Sequence, residues 1–518
     1  MKNRRGLSRG RITLYIMIWL GFASLLFYYS WWFTPTRLTS PLLFLGLISA
    51  LLYGAIQLAG NWVIYLAANR PKMPAPQTVP RDLSVDVFVT TFDEEVSLIS
   101  RCLVAATRME GKPRIYLLDD AGRPELEALA AQLGVDYLTR EGNQDHKAGN
   151  INAALARTEG DIVVIFDVDH APVPNFLTRT LGYFNDEGVG FVQVMLTFAY
   201  ARSSSTGRAA SESSLDFYNP ASLGADALGS ATLIGSNALL RREALKSIGG
   251  YQPGLAEDLA TSIALHAAGW RSNYVNEPLA PGMAPPDLRA WFDQQFKWSR
   301  GVFELLVSKY ASYWPDLTAG QRLVYAVRMT YYWIGLVTMA HLFIPLTVLF
   351  LGTPEAVAGF NQYVLHLAPL LLATLAIRST ALRSHAAETV KQSLATPIYL
   401  QLKPLLLVAG TWPIYSLSWL LALLRVPTSF RPTPKAVADR GPNPLMIAAQ
   451  AVVMLLLLAG AAASAFHAVP SDYLLIATGL VAALSQSWVV KQGVKEALAR
   501  ESNEMIRKES QAIFKEPV

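Results

Sequence analysis

Apolar residues in this chain are gathered into blocks of bilayer-spanning length, and that segregation limits its architecture more than any other feature. Residues 12–33 are apolar for about the length a hydrocarbon core requires. A second block covers residues 41–67, and further blocks lie at 331–351, 363–377, 445–467 and 473–490. Hydrophobic residues reach 52% of the whole and charged ones only 16%, too apolar for an ordinary soluble protein. The first block is too long for a signal peptide and no small-x-small cleavage site follows it. Lys2, Arg4, Arg5, Arg9 and Arg11 precede it, while Arg70, Lys72 and Arg81 follow the second block. Basic flanks on those two ends put both in the cytoplasm, with Trp31, Trp32 and Trp62 near the interfaces. The globular stretch between the blocks is therefore cytosolic.

Residues 396–426 fit the scheme less simply. Arg378, Arg383 and Lys391 precede this apolar stretch, and Arg425, Arg431, Lys435 and Arg440 follow it. A single crossing cannot have both ends in the cytoplasm. Lys403, Pro404 and Pro413 interrupt it, so an interfacial or re-entrant segment is expected. The resulting layout is a membrane hairpin at 1–70, a cytosolic domain at 71–285 and an amphipathic interfacial segment at 286–325. Membrane segments occupy 326–492, for six crossings in all, and a cytosolic tail follows at 493–518.

The cytosolic stretch alternates strands with helices. Strands are expected at 85–91, 114–118, 135–138 and 162–166, and helices at 94–109, 124–133 and 147–157. This is the pattern of a mostly parallel, doubly wound α/β sheet. Val163, Val164, Ile165 and Phe166 form a continuous apolar run suited to a strand buried on both faces. That run ends in Asp167 and Asp169, which alternation points to one side. Ligands bind beyond the carboxyl ends of such strands, and a carboxylate pair there can hold Mg²⁺ or Mn²⁺. The plainer alternative has Asp169 capping a helix after Pro174.

Other candidates share the crevice. Thr91, Phe92, Asp93 and Glu94 end the 85–91 strand and suit a base and ribose, and Asp119 and Asp120 end the next strand. Lys147 stands at a helix amino end, where free N–H groups and a cation attract phosphate. Glu257 and Asp258 open a helix. Each has an ordinary reading: turn residues, a solvated lysine, a carboxylate complementing the helix dipole. Their joint order and spacing favour a single site. In residues 286–310 apolar side chains recur every three or four positions, and the Trp and Phe content suggests a helix along the membrane surface. Gln294, Lys297 and Trp298 share one of its faces, where an indole and an amide suit a saccharide. Cys102 is the single cysteine, so no disulfide or Cys-based zinc site is available. The net charge of +5 is concentrated beside apolar blocks, and no nucleic-acid groove pattern accompanies it.

These motifs together resemble the processive, membrane-embedded glycosyltransferases of the cellulose synthase family, closely over residues 85–310 and more loosely to about 490. The family's aspartate pair matches Asp119 and Asp120, its DxD matches Asp167 and Asp169, and its TED matches Ala256, Glu257 and Asp258. Its QxxRW matches Gln294, Lys297 and Trp298, and its gating loop matches Phe430, Thr433 and Lys435. The resemblance implies a UDP-sugar donor bound by Thr91, Phe92, Glu94, Asp119, Asp120, Lys147 and Asp167. It implies a divalent metal on Asp167 and Asp169, and Asp258 with Glu257 as the catalytic pair. Gln294, Lys297 and Trp298 would meet the growing polysaccharide, which crosses the plasma membrane through the spans with or without an accessory subunit. The expected product is a β-glucan from UDP-glucose. An amino-sugar or uronic-acid polymer, a non-catalytic translocator and a single-sugar transfer to a lipid carrier are the alternatives. The sequence departs from the family at Lys297, where arginine is usual, at Pro432 and at Ala256.

Overall fold

Strand β4 (Ile162–Asp167) is the centre of the α/β domain, and its residues 163–166 are all buried, as a two-sided apolar run requires. The computed structural model describes residues 9–33, 41–68, 78, 80, 82–199, 204–351, 360–385, 402–428, 444–466 and 473–513. The other strands are β1 (Val85–Thr91), β2 (Arg114–Asp119), β3 (Asp136–Thr139), β5 (Val189–Val194), β6 (Phe198–Ala199), β7 (Ala238–Arg241), β8 (Arg271–Val275) and β9 (Gly282–Met283). Seven form one sheet in the order β3-β2-β1-β4-β7-β5-β8, and β6 pairs with β9.

Alternation divides β4 between two cores. Val164 and Phe166 meet Val87, Val89 and the helix Val96–Thr107 on one face. Val163 and Ile165 meet Phe88, Leu118 and the helix His146–Leu155 on the other. Burying each such side chain contributes about 1.5–3 kcal/mol. The sheet is mostly parallel, as expected, but mixed: β7 runs antiparallel to both β4 and β5. The reason is local. β7 begins beside the carboxyl end of β4, with Ala238 opposite Ile165, so the chain can only run back down the sheet. At the far end Arg242 closes the domain, its Nη2 2.8 Å from Asp86 Oδ2 and 2.9 Å from Thr158 Oγ1.

Among the described residues six helices are long and apolar enough to cross a membrane: Ile12–Trp32, Phe44–Ala68, Ala319–Leu351, Gln362–His385, Leu402–Leu423 and Leu445–Ala465. The set is not the one read from charge. Leu402–Leu423 qualifies, although its helix breaks between Gly410 and Trp412. The stretch expected to cross from residue 473 opens one continuous helix, Tyr473–Ile513. Its Gln486 is buried and accepts from Trp412 Nε1 at 3.2 Å, so that polar side chain is met by protein. The α/β domain rests directly on the second apolar helix: a Cβ on Gly224 would lie 1.9 Å from the Ile64 carbonyl oxygen.

Candidate active site

Strand register creates the site. Thr91 pairs with Asp119, and Thr90 with Asp167, so the carboxyl ends of three adjacent parallel strands finish level. At β1, Thr91 Oγ1 and the Phe92 N–H both donate to Glu94 Oε2, at 2.8 and 2.9 Å. Arg123 clamps this turn, donating to Thr91 Oγ1 at 3.0 Å and to the Glu94 carbonyl at 2.7 Å. Asp119 is fully buried and accepts from the Arg123 and Ala121 N–H groups and the Tyr137 hydroxyl, at 2.6, 3.2 and 2.9 Å. Asp120 receives the fork of Arg140, which also donates to the carbonyls of Gln144 and His146. Arg140 thereby ties the aspartate pair to the turn that carries Lys147. Its part in the site had no local signal in the sequence.

The helix His146–Leu155 uses its polar residues to fix that turn. Asn150 donates to the Leu118 carbonyl at 3.0 Å, which pins the helix to the end of β2. Asn152 both donates to the Tyr251 carbonyl and accepts from its N–H, each at 2.8 Å. Lys147 Nζ makes an ion pair with Asp167 and donates to the Gly235 carbonyl at 2.6 Å. Burial pulls the Lys147 pKa down, but the charges of Asp167, Glu257 and Asp258 outweigh it and the net shift is upward.

Val168 joins the same core as Val164 and Phe166, so alternation persists past the strand end and Asp167 and Asp169 share the other side. Asp169 does not cap a helix: the helix Phe176–Thr180 starts after Asn175, and Asp169 Oδ2 lies 3.4 Å from the Met283 N–H nitrogen. Asp167, Asp169 and His170 each place a ligand atom within 4.8 Å of the others. His170, passed over in the sequence despite standing next to Asp169, is buried, and among the described residues its Nε2 has no hydrogen-bond partner. A Cβ on Gly282 would sit 2.4 Å from that nitrogen. Two carboxylates and an imidazole fit Mg²⁺ or Mn²⁺.

The helix Glu257–Ala267 approaches from the opposite side. Asp258 Oδ1 accepts from the Leu259 N–H at 2.7 Å. Its Oδ2 lies 3.4 Å from the place a Gly235 Cβ would take, and Lys147 Nζ lies 3.7 Å from the same point. Asp258 therefore faces the Lys147–Asp167 pair across Gly235. Burial, then the charge of Glu257, pushes its pKa up to about 7, against the opposing pull of the Leu259 N–H, Lys147 and Lys297.

Gln294, Lys297 and Trp298 lie on the helix Leu288–Ser308, whose first turn is capped by Asp287 accepting from the Ala290 N–H at 2.8 Å. Trp291 and Phe292, expected at a membrane surface, are buried in protein. A stripe of polar contacts joins this helix to the broken one: Trp291 Nε1 to Thr411 Oγ1 at 2.9 Å, Tyr415 hydroxyl to Gln295 at 2.7 Å, Ser299 to Ser418 at 2.8 Å. Gly301 lets it lie flush on the residues before Glu257, since a Cβ there would be 2.7 Å from the Ala256 nitrogen. Burial, helped by the charge of Lys147 and opposed by Glu257, Asp167 and Asp258, leaves the Lys297 pKa lowered. Trp298 remains 37% exposed. Phe430, Pro432, Thr433 and Lys435 lie outside the described residues.

Residues 80–301 match the family described as glycosyltransferase like family 2, and residues 219–384 match the cellulose synthase family. Cellulose synthase 1 of Komagataeibacter xylinus is 33% identical over 342 residues, covering 64% of this chain and 21% of that protein. Over residues 80–384 the chain is thus similar to glycosyltransferases of the cellulose synthase family. Other relatives include the UDP-forming cellulose synthase catalytic subunits of Xanthomonas axonopodis pv. citri (strain 306) and Pseudomonas fluorescens (strain SBW25). The first is 33% identical, covering 63% of this chain and 47% of that protein, and the second is 30% identical, covering 70% and 51%. The chain thus spans about half or less of the length of these family members. Among solved structures, the mannosyltransferase PcManGT from Pyrobaculum calidifontis in complex with GDP-Man and Mn²⁺ aligns at 19% identity and a TM-score of 0.45. That alignment covers 72% of this chain and 97% of the other, a likeness that assigns no residue role.

Proposed function

We propose that this chain is a processive, inverting glycosyltransferase that builds a β-linked glucan from UDP-glucose and moves it across the plasma membrane. The observation that carries the reading is the convergence of Asp258 with Lys147 and Asp167, from three separate elements of the chain, on the small space above Gly235. The names of the relatives, cellulose synthase and UDP-forming catalytic subunit, support a UDP-linked donor and a cellulose-like product.

The uracil and ribose would lie against Thr91, Phe92, Glu94, Asp119 and Asp120. Asp167, Asp169 and His170 would hold Mg²⁺ or Mn²⁺, which when bound offsets charge on the departing diphosphate. Lys147, now on Asp167, is within reach of the same phosphates. Asp258 takes the proton from the acceptor hydroxyl, with burial and then the neighbouring charge of Glu257 keeping its pKa high enough for the task. The hydroxyl oxygen bonds to the anomeric carbon as the carbon–oxygen bond to UDP breaks, and attack from the opposite face turns an α-linked donor into a β-linked product. Lys297 neutralises carboxylate charge around the acceptor, Gln294 bonds its hydroxyls and Trp298 stacks beneath its sugar ring. A polymer of hydroxyls needs a protein-lined route through lipid, which the apolar helices after residue 319 would provide. Leu402–Leu423 packs on the helices Ser205–Ser213 and Leu288–Ser308 and also on Ile334–Leu351 and Tyr473–Ile513, so it links the acceptor helix to the apolar helices. Phe430, Thr433 and Lys435 would follow as a gating loop on the cytosolic face.

The test supplies membranes containing the protein with a panel of UDP-sugars and Mg²⁺ or Mn²⁺, then digests any polymer with linkage-specific glycosidases. UDP release coupled to a β-glucanase-sensitive polymer is expected. Incorporation only from an amino-sugar or uronic-acid donor would move the reading to another polymer, and no incorporation from any donor would end it.

A further inference from the structure

The loop that joins the two halves of this site is residues 233–237, and its conformation is unusual. Gly235 and Asn237 have φ of +84° and +56°, a region that costs energy for a residue with a side chain. The loop nonetheless sets three active-site groups at once. The Gly235 carbonyl receives Lys147, Ser236 Oγ accepts from the Asp167 N–H at 3.0 Å, and the Gly235 Cα faces Asp258. A strained segment with that many duties has to be held from behind.

Gln193, on β5, is what holds it. Its side chain is fully buried. Its Nε2 lies 2.8 Å from the Ser236 carbonyl, 3.1 Å from that of Asn237 and 2.9 Å from that of Val194. Its Oε1 accepts from the Ile234 N–H at 3.0 Å. One amide therefore engages the backbone on both sides of Gly235. The neighbouring anchors are Asn237 Nδ2 on the Ala280 carbonyl at 2.8 Å and Ser262 Oγ accepting from the Leu233 N–H at 2.8 Å. A buried strand residue would ordinarily be apolar. A fully satisfied amide here fixes one conformation where a hydrocarbon would take this partner from the Ser236 carbonyl and the Ile234 N–H.

We propose that Gln193 is a positioning residue for sugar transfer: through the 234–237 backbone it sets Lys147 and Asp167 on the donor side and the clearance at Gly235 on the acceptor side. This rests on the glycosyltransferase reading of the site. Gln193 touches neither substrate, so its loss affects geometry more than occupancy.

The test compares wild type with Gln193→Leu and Gln193→Asn in proteoliposomes. It measures UDP affinity by calorimetry, donor KM, and kcat for polymer synthesis per UDP-binding site. Expected are UDP affinity and donor KM within about threefold of wild type and a kcat lower by about ten- to a hundredfold, because a misplacement near 1 Å is that costly in a transfer step. A loss of fold alone would lower the number of UDP-binding sites and leave kcat per site unchanged. If neither variant folds, Ser236→Ala, which removes the hydroxyl's contacts to the Asp167 N–H and to Asn237 Oδ1, is expected to show a smaller drop in the same quantity. Wild-type kcat per site in the folded variants overturns the proposal. Failure of the wild type itself to transfer any sugar overturns the underlying reading instead.

Discussion

Replacing Asp258 by asparagine separates the catalytic from the structural account of this carboxylate, because the two predict changes of opposite sign. The asparagine cannot accept the acceptor proton, and a general base contributes about 10² to 10⁴ in rate, so polymer synthesis should fall by at least a hundredfold while UDP still binds. Stability should move the other way. Burial and Glu257 raise the Asp258 pKa from 3.8 to about 7, so the folded state holds the proton more tightly than the unfolded chain does. Stability linked to this group is complete below about pH 4 and is lost as pH rises toward 7. At about 1.4 kcal/mol per pH unit the loss comes to about 4 kcal/mol, and solvent reaching the cleft reduces it to about 2. The neutral amide carries no such penalty. In detergent, D258N should therefore melt higher than wild type at pH 8 and close to it at pH 4, with the gap opening between those values. The same titration gives wild-type turnover an acid limb near pH 7. Polymer synthesis by D258N within tenfold of wild type would refute the base assignment, and a lower melting point at pH 8 would refute the buried-charge argument.

Gly301→Ala should force the Leu288–Ser308 helix away from Ala256 by roughly 0.7 Å, taking an ordinary contact as about 3.4 Å, and lower kcat about ten- to a hundredfold with UDP affinity unchanged; single-turnover kinetics would check this. Arg140→Lys loses the fork on Asp120 and the link to the Lys147 turn, so UDP affinity should fall about tenfold by calorimetry. His170→Ala should weaken Mn²⁺ binding at least tenfold, read as free Mn²⁺ by electron paramagnetic resonance in the presence of UDP. Unchanged Mn²⁺ affinity would remove His170 from the ligand set.

Much of the domain is legible along the chain because burial on both faces leaves a continuous apolar run. Residues 163–166 read as such a run, and the structure buries all four. The helix Pro124–Leu133 begins at its proline and stops before Gly134, whose φ of +66° ends it, so both ends are written in residue type. Asp119, Asp167 and Asp258 were visible as carboxylates at the ends of predicted elements. The Trp291 and Phe292 side chains were less informative, since an amphipathic pattern is the same whether lipid or protein covers it. The charge pattern around residues 396–426 gave two cytosolic ends but no sign of the break at Thr411, which supports buried contacts to Trp291 and to the helix before it.

The sequence by itself determined that residues 163–166 form a strand buried on both faces and that carboxylates follow or end β1, β2 and β4, because periodicity and strand-end chemistry are properties of neighbours along the chain. The reversal of β7, the reach of Arg140 to Asp120, the addition of His170 to the carboxylate pair and the grip of Gln193 on the 234–237 loop were decided only by tertiary structure. Each depends on where a backbone turn sets one group against another across the crevice. The bare Cα positions at Gly235 and Gly301 make the same point: what matters there is the space an absent side chain leaves, and that space has no counterpart in a one-dimensional pattern.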